Sequence, residues 1–423
     1  MPDAQRIPGT RMHGAHDSRM DMPLPRTLRR FRASTVKRVA WAMVAILIIA
    51  LLWWNGFHNI GTAGTSANAS CIEQPASTEP IPPKLPNVTA DQLPSPRSIQ
   101  GPTTAYTDSQ AIAPITDAAA SLQQLPARVE SSDGVETVVT DTSRILAINQ
   151  NGGLAAAVIG LGFGCNLVGR DIATDIPTLM PGNDQLPVVT QNGHELNAEA
   201  ILQMAPSVVI TDASIGPYDV QVQLRRAGIP VVMVPVAYEA GIHGVSEQIR
   251  FVAEALGVAP LGDALADRTD AEVRATIAGL QRIAPADLNE KPRVVFLYLR
   301  GSIYYWFGID SGADSLIQSI GARDVASEVG FAGMAPASAE ALVQASPDVI
   351  LVMSQGLESV GGIDEAVQLP GIAQTPAGQN KRFVDMSDFE IMSFGPRTAA
   401  VIAALGVAVY APEHVTVPEG ANA

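Results

Sequence analysis

The sequence predicts an α/β protein with two similar lobes, each a parallel sheet flanked by helices, joined by one long interlobe helix. One N-terminal transmembrane-type helix precedes the lobes. Three observations support this prediction. Apolar runs of strand length alternate with helical patterns from about residue 134 onward, which is typical of βαβ units. A helix–proline–strand segment occurs twice in that part of the chain, and residues 39–57 contain no charge.

Residues 197–210 and 338–351 form the internal repeat. In each copy a short helical pattern ends at a proline, which lacks the amide hydrogen and clashes with the preceding turn, and a strand-like run follows. Glu199 and Glu340 hold equivalent positions in the two copies. The repeat predicts two lobes of similar construction, and chance recurrence of a common αβ unit is the alternative.

The spacing of the apolar runs divides this part of the chain. We predict an N-terminal lobe over 134–240, an interlobe helical strut over 241–290, a C-terminal lobe over 291–412 and a tail over 413–423. Part of the strut, 261–283, lacks proline and would span roughly 30 Å as a helix. The predicted strands are Thr137–Thr140, Ile145–Ile148, Val208–Thr211, Val231–Val234, Val294–Leu299, Val349–Met353 and Phe383–Asp385.

The N-terminal region predicts a membrane segment. Residues 1–38 form a basic tail with nine Lys or Arg and three Asp, and the uncharged residues 39–57 are long enough for a membrane helix. The basic flank predicts a cytoplasmic tail and places the rest of the chain outside. Three fates are open: a retained signal anchor, a signal peptide cleaved near 67–69, or lipidation of Cys71 in a sequence that resembles the end of a lipobox. All three put the lobes on the extracytoplasmic face of the plasma membrane.

Residues 58–133 predict a tether. They are rich in Pro, Ser and Thr, and ten prolines fall between Ile72 and Pro126. We find no apolar period of 2 or 3.6 residues there, so the segment is expected to be a semi-extended spacer without a core of its own.

Composition excludes several classes of protein. With 47% hydrophobic and 16% charged residues the chain as a whole is not disordered. The net charge is -15, and because residues 1–38 are basic the rest is more acidic still, which argues against nucleic-acid binding. Two cysteines do not make a Cys-based zinc or iron–sulfur site. We find no phosphate-binding glycine loop and no nucleophile elbow, so we predict no enzyme.

His194 is the best-placed histidine of the predicted lobes. It lies in a loop-like stretch, 191–196, just before the helix of the first repeat. A single loop histidine is ordinarily a surface residue, and it is also a type of side chain that binds iron.

Tyr298 and Arg300 end the first predicted strand of the second lobe. Residues two apart on a strand lie on the same face. A guanidinium beside a phenol favours the phenolate, which is an iron ligand type. A core tyrosine followed by a surface arginine is the alternative.

Four consecutive aromatic residues follow at 304–307, among them Tyr304, Tyr305 and Trp306. Aromatic faces suit a flat apolar ligand such as a porphyrin. An aromatic hairpin that packs into its own lobe is the alternative.

These features together resemble a known family. Roughly from Ile145 to Val409, the chain is similar to the substrate-binding proteins of iron-complex and vitamin B12 ABC importers, and among them to the haemin-binding proteins of actinobacterial haem importers. The segments that carry the resemblance are Gly169-Arg170-Asp171, Phe296-Leu297-Tyr298-Leu299-Arg300-Gly301, Gly356-Leu357-Glu358-Ser359-Val360-Gly361-Gly362, Gln374-Thr375-Pro376-Ala377-Gly378-Gln379-Asn380 and Ser393-Phe394-Gly395-Pro396-Arg397-Thr398.

The resemblance implies a ligand and a site. Haem b, as the transported ligand, would lie between the lobes with His194 and Tyr298 as axial ligands of its iron, and Arg300 would bond to the tyrosine oxygen. Beside this family pattern, Tyr304, Tyr305 and Trp306 are candidates for packing near the porphyrin, and Arg170 and Arg397 are candidates for the propionates.

The resemblance also implies a partner. Glu199 and Glu340 match the glutamates, one in each lobe, with which the family docks on the permease of the haem importer. The chain would be held at the plasma membrane through the N-terminal helix or a lipidated Cys71. A siderophore or corrinoid receptor of the same fold, a haem-dependent enzyme and a surface module without a ligand remain as alternatives.

Overall fold

The computed structural model describes residues 71, 74–107, 111–181, 186–191, 195–236, 240–301, 303–336 and 338–418. The predicted basic tail and the predicted membrane helix at 39–57 lie outside these residues. Within the part of the chain that the structure describes, no helix is long and apolar enough to cross a membrane.

The N-terminal lobe is built on a three-stranded parallel sheet in the order β4-β7-β8. Every residue of these strands is buried, because the sheet is covered on both faces. A small antiparallel sheet (β2-β3) and a short hairpin (β5-β6) flank it. The strands are β2 Ala127–Glu130, β3 Glu136–Val139, β4 Ile145–Ile148, β5 Thr190–Gln191, β6 Glu195–Leu196, β7 Val208–Thr211 and β8 Val231–Met233.

Helices cover both faces of this sheet. Successive side chains of a strand point to opposite faces, and because all of them are apolar or buried here, both faces need a covering layer. Ile145 and Ala147 contribute to the core on one face, and Leu146 and Ile148 to the core on the other. The helices of this lobe are α1 Ala119–Leu122, α2 Gly153–Gly160, α3 Ile176–Leu179, α4 Ala198–Met204, α5 Tyr218–Arg226 and α6 Val245–Ala255.

The C-terminal lobe is built on a seven-stranded sheet in the order β1-β14-β13-β9-β10-β12, with β11 beside β9. The predicted α/β architecture with parallel sheets is confirmed, but this sheet is parallel only in part, because β10 and β12 run antiparallel to their neighbours. Its strands are β1 Thr103–Ala105, β9 Arg293–Arg300, β10 Ile303–Phe307, β11 Arg323–Asp324, β12 Met334–Pro336, β13 Val349–Met353 and β14 Phe383–Met386.

The long helix α7, Ala259–Leu280, connects the two lobes. At 1.5 Å per residue its 22 residues span about 33 Å. Leu265 and Ala266 belong to the core of the N-terminal lobe, and Leu280 belongs to the core of the C-terminal lobe. The helices of the C-terminal lobe are α8 Ala313–Ser319, α9 Val325–Glu328, α10 Ala339–Ala345, α11 Ser354–Ser359, α12 Ile363–Ala366, α13 Pro376–Gln379 and α14 Thr398–Tyr410.

The described part of the predicted tether is folded, which corrects the expectation for residues 74–107 and 111–133. We call residues 71, 74–107 and 111–115 the strap. Leu85 packs against the core of the C-terminal lobe, and Ile112 belongs to the core of the N-terminal lobe. The strap binds in extended form to surfaces that distant parts of the chain create, so its apolar residues follow the shape of those surfaces and show no period of their own.

The strap follows the interlobe helix α7. Buried Arg268 donates to the backbone oxygens of Ser77 and Ala113, at 2.6 and 2.9 Å. The amide of Ile81 donates to the Glu272 carboxylate at 3.0 Å. The strap is therefore hydrogen-bonded to the helix that joins the lobes.

The strap then enters the sheet of the C-terminal lobe as edge strand β1. The fully buried Arg382 holds it there, because its guanidinium donates to the Gly101 oxygen and the Thr103 hydroxyl. The same guanidinium donates to the carbonyls of Ala408 and Val409 at the end of α14, where helical carbonyls lack intrahelical partners. Burial lowers the pKa of Arg382 to about 10.

We expect Arg382→Met to lower the free energy of unfolding by about 3 kcal/mol, because it leaves several buried carbonyl acceptors without a donor. Urea unfolding of the full chain measures the change. Arg128→Met is the matched control, since Arg128 pairs with Glu136 at an exposed site where an ion pair contributes about 0–1 kcal/mol. Equal losses in the two variants would contradict the role of Arg382.

Cys71 at the start of the strap forms a disulfide with Cys165 of the N-terminal lobe. A thiol that is held in a disulfide is not available for lipidation. The structure therefore contradicts the lipidated-Cys71 alternative and leaves the signal anchor and the cleaved signal peptide.

Candidate ligand site at the strand ends

Tyr298 lies near the carboxyl end of β9, on the sheet face that α7 and α14 cover. Phe296, two residues earlier on this face, is fully buried in the core, whereas Tyr298 is only half-buried. Its ring centroid lies 6.2 Å from that of Tyr305 and 6.5 Å from that of Phe307. Tyr298 therefore marks the point where the packed core of this face ends.

Arg300 is the last residue of β9 and is exposed. The alternation of side chains along a strand puts it on the same face as Tyr298. Gly301 follows with φ 59°, a left-handed conformation that favours glycine, and the chain reverses into β10. The register of β9 is thus compatible with the predicted pairing of a phenol and a guanidinium, which stays a prediction.

The aromatic stretch of β10 is divided between the two faces of the sheet. Tyr305 pairs with Tyr298 in the antiparallel register and shares its face. Tyr304 and Trp306 face the opposite side and are buried in the core there. The Tyr304 hydroxyl donates to the Pro370 oxygen at 2.8 Å, and burial raises the pKa of Tyr304. This corrects Tyr304 and Trp306 as candidates for packing near a porphyrin beside Tyr298, because the pleat of the strand directs them into the core of the opposite face. Among the three candidates, Tyr305 alone shares the face of Tyr298.

His194 lies outside the described residues. The described residues that flank 192–194 are Gln191 of β5 and Glu195 of β6, which pair with each other in a short hairpin of the N-terminal lobe. The hairpin leads into α4, the helix of the first repeat.

Arg170 and Arg397 both have partners within the protein. The Arg170 guanidinium donates to the backbone oxygens of Leu186, Asp171 and Thr174 at 3.1–3.3 Å. Arg397 donates to the Glu390 carboxylate at 2.7 Å and to a hydroxyl, and both members of this ion pair are largely buried. Both guanidinium groups therefore have hydrogen-bond partners within the protein that stabilise the fold.

The segment around Arg397 also joins the lobes. The Asn151 side chain donates to the Met392 oxygen at 2.7 Å, and Phe394 belongs to the core of the N-terminal lobe. A Cβ on Gly153 would lie 2.5 Å from the Phe394 oxygen, so this contact needs glycine. The family-like segment 393–398 is therefore an interlobe contact.

Glu199 and Glu340 lie at matching places in the two lobes. Each is exposed in the first turn of its helix, α4 or α10. Asn197 and Ser338 cap these helices by accepting from the amide three residues later. Both helices end in a left-handed residue before the proline, so the sequence repeat is also a repeat of conformation.

A polar cluster at the carboxyl ends of β4 and β7 is absent from the sequence prediction. Asn149 donates from its backbone to Asp171 at 3.0 Å and from its side chain to Asp212 at 3.1 Å. All three residues are at most 2% exposed. Burial raises the pKa of Asp171 to about 6, and burial also raises the pKa of Asp212 above its usual range. Asp171 belongs to a segment that carries the family resemblance. Asn149 and Asp212 directly follow predicted strands, and this position is the sequence signal that could have indicated the cluster.

No group of three or more His, Cys, Asp or Glu side chains in the described ranges could hold a metal ion.

Two α/β lobes joined by a long helix, with polar groups at the carboxyl ends of their strands, define a bilobal binding protein. The family model for periplasmic binding proteins matches residues 151–388, which is more than half of the chain. The chain belongs to this family, whose members are binding proteins with an extracytoplasmic location. The comparison with curated proteins returns no match.

Solved structures of haem-binding proteins are similar to this chain. The haem-binding protein HmuT is 37% identical, with a TM-score of 0.67 over 75% of this chain and 100% of that one. The periplasmic haem-binding protein RhuT from Roseiflexus sp. RS-1 is 33% identical, with a TM-score of 0.56 over 64% of this chain and 99% of that one. BhuT, solved in complex with two haems, is 30% identical, with a TM-score of 0.54 over 64% and 98%.

Proposed function

We propose that this chain is an extracytoplasmic haem receptor that binds ferric haem between its lobes and delivers it to the permease of an ABC importer. The observation that carries the proposal is the pair Tyr298 and Arg300 on one face at the end of β9. In this proposal the Tyr298 phenolate is one axial ligand of the iron, and the Arg300 guanidinium favours the phenolate over the phenol.

The similar haem-binding protein HmuT supports this choice of residues. Its solved structures include variants in which one Tyr, one His or one Arg is replaced by Ala. The replaced Tyr and Arg are two positions apart in that protein, as Tyr298 and Arg300 are here. We propose His194 as the second axial ligand, since the hairpin whose strands flank it belongs to the other lobe.

Delivery to a permease is the second part of the proposal. Glu199 and Glu340 are exposed and equivalent, one in each lobe, so a partner with two matching basic sites could contact both. We propose that haem b is the transported form and that residues 39–57 hold the receptor at the plasma membrane as a signal anchor.

Titration of the full chain with haemin, followed by visible absorption, tests the haem proposal. We expect a saturable change of the Soret band with one haem per chain, because one His–Tyr pair provides the two axial positions of a single iron. Two equivalent haems per chain would contradict this ligand scheme. If haemin produces no specific change while a ferric siderophore or a corrinoid binds, the haem proposal is wrong and the alternative receptor is correct.

A further inference from the structure

Asp171 is a buried carboxylate that organises a loop. It is 1% exposed, and its two oxygens accept from the backbone of Asn149 at 3.0 Å and from the backbone and hydroxyl of Thr174 at 2.7 and 2.9 Å. These bonds tie the loop 170–174 to the carboxyl end of β4. Burial raises the pKa of Asp171 to about 6, so the fold retains this acid although the charged form is costly to bury.

The loop 170–174 is bonded in turn to the β5 side of the hairpin. The amide of Ile172 donates to the Thr190 hydroxyl at 3.0 Å, and the amide of Val189 donates to the Arg170 oxygen at 2.9 Å. The amide of Arg170 donates to the Pro187 oxygen at 3.0 Å, so the contact runs along the whole approach to the hairpin.

The loop 170–174 also packs against the start of α2. A Cβ on Gly152, at the start of α2, would lie 3.1 Å from the Thr174 hydroxyl, so the loop rests directly on that helix start. Asn149, which donates to Asp171, is itself held by its bond to Asp212 at the end of β7. Asp171 therefore connects the rigid sheet of the N-terminal lobe to the outer hairpin.

We propose that Asp171 is a positioning residue for haem binding: it fixes the loop that holds strand β5, and His194, the proposed axial ligand, follows that strand in the sequence. The inference rests on the proposed haem function. Partners that orient a metal ligand from outside the coordination sphere typically affect metal affinity by about 10–100-fold. Asp171 contacts no ligand in this proposal and acts through the hairpin.

Haemin titration of the full chain carrying Asp171→Asn tests the inference. The amide has one acceptor oxygen instead of two, so at least one of the backbone donors loses its partner. We expect haemin affinity to fall by about 10–100-fold, with the Soret band of the complex shifted toward that of His194→Ala. Thr190→Val, which removes the acceptor for Ile172 and leaves Asp171 intact, should change affinity and spectrum in the same direction.

Asp324→Asn is the matched control. Asp324 is 5% exposed and also accepts from two backbone amides and one hydroxyl, but it caps α9 in the other lobe. We expect this variant to bind haemin within about twofold of the unchanged chain, since no ligand depends on α9. Thermal unfolding of both variants separates a loss of folded protein from a loss of affinity.

Combining Asp171→Asn with His194→Ala distinguishes positioning from a general effect on the fold. If Asp171 acts through His194, the double variant binds no more weakly than His194→Ala alone. Additive losses, or unchanged affinity in Asp171→Asn, would overturn the inference while haem binding by the unchanged chain stands. Failure of the unchanged chain to bind haemin would instead overturn the proposed function.

Discussion

Tyr298→Phe should weaken haemin binding by about 100-fold or more and change the Soret spectrum of the complex. Loss of a group that only orients a metal ligand typically lowers affinity by roughly 10–100-fold. Loss of the ligand itself should cost at least as much as the upper end of that range. Phenylalanine keeps the ring that packs against Tyr305 and Phe307, so thermal stability should change little. Titration and thermal unfolding of the same preparations measure both effects.

Two further variants make the result for Tyr298 specific. Tyr305→Phe removes a hydroxyl from the paired residue on the same face, and it should leave haemin affinity nearly unchanged because Tyr305 is not proposed as a ligand. Arg300→Ala should weaken binding by about tenfold, as expected for a partner that favours the phenolate. Equal effects of Tyr298→Phe and Tyr305→Phe would show that the face acts by packing alone and would refute Tyr298 as the ligand.

Removing the strap should prevent the lobes from folding. A fragment 116–423 lacks the edge strand β1, the disulfide and the apolar anchors Ile112 and Ile115. The disulfide closes a loop of 94 residues and alone accounts for about 4–5 kcal/mol in the chain-entropy model. Burial of each isoleucine adds about 1.5–3 kcal/mol, and a typical domain is stable by only about 5–15 kcal/mol.

Circular dichroism of two fragments tests this prediction. The fragment 70–423 should unfold cooperatively, whereas 116–423 should lack a cooperative transition. Cys165→Ser in the full chain removes only the disulfide, so it should lower stability and leave the fold intact. A fragment 116–423 that melts at the same temperature as 70–423 would show that the strap contributes nothing to the lobes.

The strap explains why sequence patterns were misleading over residues 74–107 and 111–115. Proline-rich composition and the absence of a period are typical of a spacer. The anchors of the strap are single residues such as Leu85 and Ile112, and their partners are distant groups such as Arg268 and Arg382. A pattern read along the chain cannot detect surfaces that exist only after both lobes have formed.

Only part of the candidate site could be predicted from the sequence, because the rest depends on contacts between distant segments. The strand that ends in Tyr298 and Arg300 is an apolar run of the right length, so the shared face of these two residues follows from the alternation of side chains. The opposite orientation of Tyr304 and Trp306 depends on the register of β10 against β9. The role of Asp171 depends on a loop that meets Asn149 from 22 residues away.

By itself, the sequence determined the α/β class, the repeated unit of α4 and α10 and the strand that carries Tyr298, because local patterns of period and proline placement decide these features. Only the tertiary structure decided how the strap binds both lobes, which aromatic residue shares the face of Tyr298 and how Asp171 supports the hairpin. These features arise from hydrogen bonds and packing between segments far apart in the chain, whose geometry exists only in the folded molecule.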